Sequence, residues 1–139
     1  MRIPIVMACL LISACSSESL APLVATELEI FAPLPGQNMS AGYLALSNNS
    51  DDVINITSVT SPQFSSVEMH ESVVEDGVAK MRRIPSLLIS AKATVRFNRG
   101  GKHLMLMHRK QQTDLITLNF YDGATLILNV QTPVIARNN

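Results

Sequence analysis

The sequence predicts an all-β fold: a single domain built as an antiparallel sandwich or Greek-key barrel. Three observations carry this. Short runs that alternate apolar with polar residues, or are rich in β-branched ones, follow one another along most of the 139 residues. Clusters of Gly, Pro, Asn, Asp and Ser separate these runs. No stretch shows a clean helical stripe with caps at its ends.

Taken in order, the first strand is expected at "ELEIFA" (27–32), closed by the turn residues "PLPGQN". "GYLALS" (42–47) follows and ends in "SNNSDD", where Asp51 and Asp52 suit a turn better than a calcium site. "VINITSV" (53–59) and "SSVEMHES" (65–72) come next, then "GVAKMRRI" (77–84), separated from its predecessor by "EDG". Asp76-Gly77 is the strongest hairpin signal in the chain. With a two-residue loop it would pair Glu75 with Val78 and Ser72 with Met81, leaving His70 and Met81 diagonal neighbours on one face. "ATVRF" (93–97), "HLMLM" (103–107), "DLITLNF" (114–120) and "TLILNV" (125–130) complete the set, with "NRGG" and "YDG" as turns. About nine strands at spacings of roughly 8–12 residues fit a sandwich or barrel. Tryptophan is absent, so the core is expected to be aliphatic with Phe31, Phe64, Phe97 and Phe120.

The N-terminus points to the cell envelope. Arg2 precedes an apolar run from Ile3 to Ile12, the length of a signal h-region and too short to span a bilayer. "LISAC" resembles a bacterial lipobox, with Cys15 as the lipidated residue. Residues 1–14 are then a lipoprotein signal peptide, 15–26 a lipidated tether and 27–139 the domain, in the periplasm and anchored to a membrane. Ser16 rather than Asp after Cys15 favours the outer membrane by bacterial sorting analogy. Cys9 would leave with the leader and Cys15 would be acylated, which excludes disulfide, thiolate-metal and dithiol chemistry in the mature chain. Zero formal net charge with interspersed acids and bases argues against nucleic-acid binding, and the chain is expected to be monomeric.

The chemistry concentrates in histidine and methionine. The three histidines are His70, His103 and His108, and each has a methionine close by: Met69, Met105 and Met107. In a strand, His103, Met105 and Met107 share one face, while Leu104 and Leu106 share the other and form the natural core side. On the same alternation His108 falls with the leucines. Two strand pairs thus each offer one imidazole and one thioether on a common face. Magnesium and calcium prefer oxygen ligands and zinc prefers thiolate, imidazole or carboxylate; thioether with imidazole selects Cu(I). A blue-copper electron carrier is disfavoured because that site requires a cysteine thiolate.

The spacing His70-x10-Met81-x21-His103-x-Met105 resembles the H(M)-x10-M-x21-H-x-M motif of the periplasmic copper chaperone family of PCuAC type. "AGYLALSNNSDD", "VEMHES" and "GGKHLMLM" are similar to that family's early strand and its two ligand segments, so the likeness covers roughly 41–134. The resemblance implies a cupredoxin-like β-sandwich that binds one Cu(I) through His70, Met81, His103 and Met105. It also implies periplasmic copper donors or acceptors as partners, notably in assembly of the cytochrome c oxidase copper centre, and no enzymatic activity. Met69 and Met107 fall outside the motif and are expected as apolar rim residues or accessory thioethers. The segment "HRKQQTDL" is shorter than in many relatives, and "TPVIARNN" lacks the His/Met tail of some. A periplasmic copper buffer, or an envelope lipoprotein adaptor in which the His/Met cluster is incidental, are the alternative readings.

Overall fold

A computed structural model describes residues 21–136. The leader, Cys15 and the last three residues lie outside this range. Eleven strands occur among the described residues: β1 (Leu23–Phe31), β2 (Met39–Asn48), β3 (Ile54–Ile56), β4 (Ser58–Thr60), β5 (Phe64–Glu75), β6 (Val78–Arg83), β7 (Leu87–Ile89), β8 (Thr94–Phe97), β9 (Lys102–Arg109), β10 (Leu115–Asp122) and β11 (Thr125–Ile135).

Seven strands pair in the order β1-β11-β10-β4-β5-β9-β2, and β2 returns to β1, so the sheet closes into a barrel. The β1–β11 pairing is parallel, whereas the others around the barrel are antiparallel. Closure removes the exposed edges that an open sheet would present. β6 and β8 extend it from β5 and β2, and β3 with β7 forms a small separate sheet. The interior holds Ile30, Leu46, Leu104, Leu106, Ile116 and Phe120, all essentially without solvent contact.

The structure departs from expectation at several places. β1 begins at Leu23, which is buried, so 23–26 belong to the barrel and not to a tether. The run 53–59 is two strands, because Thr57 turns the chain between sheets. Its amide and hydroxyl both donate to the Tyr121 carbonyl, and its hydroxyl accepts the Gly123 amide. β7 was not evident in the sequence; three residues are too few to display a period. Phe64, Phe97 and Phe120 are core residues. Phe31 instead sits half-buried, edge-on to Tyr43 at 5.9 Å, with the Arg99 guanidinium 4.6 Å above its ring. In the "SNNSDD" turn, buried Asn48 donates to the carbonyls of Asp52, Ile89 and Ser90 and accepts from Ser50. These contacts brace the turn in the way such residues usually do.

The hairpin between β5 and β6 follows its sequence signal. Asp76 and Gly77 both have positive φ, 52° and 77°, as a two-residue turn of this twist requires. Glu75 pairs with Val78 and Ser72 with Met81.

Candidate metal centre

Three neighbouring strands bring the predicted ligands to one outer face. β5 and β9 pair with His70 opposite His103 and Glu68 opposite Met105. On the other side of β5, Arg83 of β6 lies opposite His70, and Met81 opposite Ser72. His70, Ser72, Met81, Arg83, His103 and Met105 therefore face the same way, since partners across a ladder share a face and alternate residues return to it. The inner face of the same ribbon carries Val67, Met69, Leu104 and Leu106, all buried.

The imidazoles are held in defined orientations. Their ring centroids lie 6.0 Å apart with planes 37° from parallel. His103, 8% exposed, places Nδ1 3.0 Å from the Gly101 carbonyl. A carbonyl only accepts, so Nδ1 carries the proton and Nε2 keeps its lone pair. The same carbonyl accepts the Ser72 amide at 3.1 Å, tying the hairpin strand to the approach of His103. A Cβ added at Gly101 would come 2.5 Å from Asn98 Oδ1, the movable end of that side chain, so what Gly101 contributes here is its carbonyl.

His70 is the mirror case. Its Nε2 lies 2.8 Å from Glu68 Oε2. The hydrogen bond from His70 holds the Glu68 carboxyl below its ordinary range, partial burial opposes this, and the nearby charge of Arg83 reinforces it. An ionised carboxylate accepts, so Nε2 carries the proton and Nδ1 holds the free lone pair. That Nδ1 is buried and has no hydrogen-bond partner, a state it shares with only the Asn55 side-chain oxygen among the described residues. Buried imidazole nitrogens are normally satisfied. A metal ion would supply the missing partner, and a hydrogen-bonded second nitrogen is how metal-binding histidines are usually oriented.

Met81, His103 and Met105 line one open cleft of about 280 Å³, together with Ser72, Tyr43 and Met39. His70 does not line this cleft; it stands directly against His103 at its side. Met81 is 55% exposed on the hairpin, so its thioether is free to swing over the cleft. Among the described residues no three of His, Cys, Asp and Glu gather into a group able to hold a metal ion.

Two expectations are corrected. Met69 is 4% exposed and packs in the core, because alternation along β5 turns it away from His70; it is neither a rim residue nor an accessory thioether. His108 does not join the leucine face. Its φ of 53° breaks the alternation at the end of β9 and leaves it exposed, beside Asn38 and Arg109 in a separate groove. Met107 stays half-buried on the face of Met105. Three cations around this face are each paired with a carboxylate: Lys102 with Glu71, Arg82 with Glu75 and Arg83 with Glu68. Sequence reasoning passed over Glu68, although its position two residues before His70 on a strand was signal enough. It also passed over Gly101, whose part is played by the main chain, and Met39, whose place depends on pairing between distant strands.

Residues 23–133 match the family described as "Putative lipoprotein LpqE-like". The chain belongs to this family. Two relatives of the LpqE-like chain are "Putative lipoprotein Lxx21020" of Leifsonia xyli subsp. xyli and "Uncharacterized protein RP573" of Rickettsia prowazekii. The first is 31% identical over 96 residues, covering 65% of this chain and 58% of the relative. The second is 30% identical over 98 residues, covering 66% and 54%. The chain thus spans a little over half the length of these relatives. Among solved structures, the copper-bound PCuAC domain from PmoF2 superposes with a TM-score of 0.65 at 20% identity, over 86% of this chain and 97% of that one. Cu(I)-bound DR1885 from Deinococcus radiodurans gives a TM-score of 0.64 at 27% identity, over 86% and 82%. The LpqE-like barrel therefore has the cupredoxin-like fold of PCuAC domains, in agreement with the motif.

Proposed function

We propose that this LpqE-like chain is a copper carrier of the bacterial envelope that holds one Cu(I) through His70, Met81, His103 and Met105. The observation that carries this is the pair of oppositely tethered imidazoles: Glu68 fixes His70 with Nδ1 free, and the Gly101 carbonyl fixes His103 with Nε2 free. Two free imidazole lone pairs beside two thioethers fit a soft monovalent ion and serve zinc poorly. The copper-bound PCuAC neighbours lend support from outside the chain.

The proposed division of labour follows from exposure. The buried His103 and the half-buried His70 and Met105 give a rigid base, while Met81 is exposed on the hairpin and is the ligand an incoming acceptor could displace. Such a site suits delivery by ligand exchange, in which copper passes to a partner's ligands with no bond made or broken in the protein chain. The role is carriage and not catalysis. The acceptor is a periplasmic copper protein, with the copper centre of cytochrome c oxidase as the one the motif resemblance implies. In this reading Cys15 carries a lipid that holds the domain at the membrane.

Competition of Cu(I), its mimic Ag(I) and Zn(II) for the purified protein tests the proposal. Tight 1:1 Cu(I) or Ag(I) binding with much weaker Zn(II) is expected; comparable Zn(II) affinity would overturn the thioether site.

A further inference from the structure

We propose that Met39 and Met107 form a second, weaker subsite for a soft monovalent metal ion, beside the four-ligand set and distinct from it. β2 and β9 pair with Met39 opposite Met107 and Ala41 opposite Met105. Directly opposed residues share a face and have Cβ atoms about 4.5–5.5 Å apart, within reach of two long thioethers. That face is the one carrying Met105 and His103. Met39 lines the same cleft as Met81, His103 and Met105.

The pair is held in place. The His108 amide donates to the Asn38 carbonyl at 2.9 Å, pinning the start of β2 against the end of β9 just where Met39 and Met107 sit. Both thioethers are accessible: Met39 is 45% exposed and Met107 half-buried. Met69, by contrast, shows where this chain puts a methionine whose task is packing.

Strand order gives the pair a use. Across the face run β6, β5, β9 and β2. Soft donors occupy the whole width: Met81, His70, His103 with Met105, and Met39 with Met107. An exposed methionine stands at each end, with the imidazoles between. Two neutral thioethers without imidazole bind a soft ion more weakly than the mixed set, as a loading or release position requires. The metal class assigned here rests on the copper-carrier reading; the pairing of the two methionines does not.

The test is a titration of the full chain, labelled with 13C at its methionine methyls, with Ag(I) as the probe. The first equivalent is expected to move the Met81 and Met105 signals. The second should move Met39 and Met107, leaving the buried Met69 unmoved. In Met39→Leu the Met107 signal should lose its response while the first equivalent binds as before. Three results would overturn the subsite: Met39 and Met107 unmoved in excess Ag(I), the pair moving in step with the first equivalent, or Met107 still responding in Met39→Leu. Silence at Met81 and Met105 would instead overturn the four-ligand reading, and the response of the pair would still decide this one.

Discussion

The two faces of the β5–β9 ribbon use nearly the same residues for opposite ends. Inward, Met69 pairs with Leu104 and Val67 with Leu106, and all four are buried. Outward, one residue along, His70 pairs with His103 and Glu68 with Met105. Met69 and Met105 are the same amino acid on adjacent strands, yet one fills a core and the other opens on a cleft. Parity makes the difference, because a strand turns each side chain to the face opposite its neighbours. A slip of one residue would exchange the two sets entirely. What protects the register is the core itself, together with the Asp76-Gly77 turn and the closely approached backbone at Gly42. A Cβ added at Gly42 would sit 3.3 Å from Leu104 Cβ and Leu106 Cδ1.

The comparison can be broken from either side. The largest effect on stability is expected from Leu104→Ala, which leaves a cavity under the site and should cost about 2–5 kcal/mol in chemical denaturation. Its folded fraction should still bind one Ag(I). On the outer face, His103→Ala should leave the folded state in place and weaken Cu(I) binding by at least about 100-fold, since each lost tenfold corresponds to only about 1.4 kcal/mol of ligand interaction. Competition with a Cu(I) chelator measures this.

The methionines sharpen the contrast. Met105→Leu should change stability by less than about 1.5 kcal/mol, as volume-conserving swaps do, and lower Cu(I) affinity roughly 10-fold or more. Met69→Leu should have a similarly small effect on stability and none on affinity. Equal effects of the two on affinity would show that parity does not separate the roles.

Smaller effects belong to the residues that orient ligands. Glu68→Gln should lower Cu(I) affinity about 10- to 100-fold by releasing His70 from its tautomer. The same carboxylate gives the metal-free protein a modest pH dependence. Its pKa lies below 4.5 in the folded state, chiefly through the His70 hydrogen bond. Its contribution to stability is therefore fully present above about pH 4.5, the value of the unfolded chain, and lost as pH falls through the lowered folded value. Acid denaturation of the metal-free protein should shift to higher pH in Glu68→Gln.

Much of this was legible in the sequence because it is local. Strand alternation placed His103, Met105 and Met107 on one face and Leu104 and Leu106 on the other, and the Asp-Gly dipeptide set the pairing that brings Met81 beside His70. The cupredoxin-like fold and the likeness to PCuAC domains followed from the motif. What escaped depends on distance or on the backbone. Thr57 looked like the middle of a strand until its contacts with Tyr121 and Gly123 split it. The positive φ of His108 ended an alternation that the residue letters appeared to continue. Leu23 joined the barrel because β2 lies beside it. Met39 acquired meaning only through the β2–β9 register, and Gly101 through a carbonyl that no side-chain pattern reveals.

X-ray absorption of the Cu(I)-loaded chain tests the central claim most directly, because it counts sulfur around the metal. A mixed shell of two nitrogen and two sulfur donors is expected, with one sulfur lost in Met81→Leu or Met105→Leu and neither lost in Met69→Leu. A shell of nitrogen and oxygen alone, unchanged in all three variants, would contradict it.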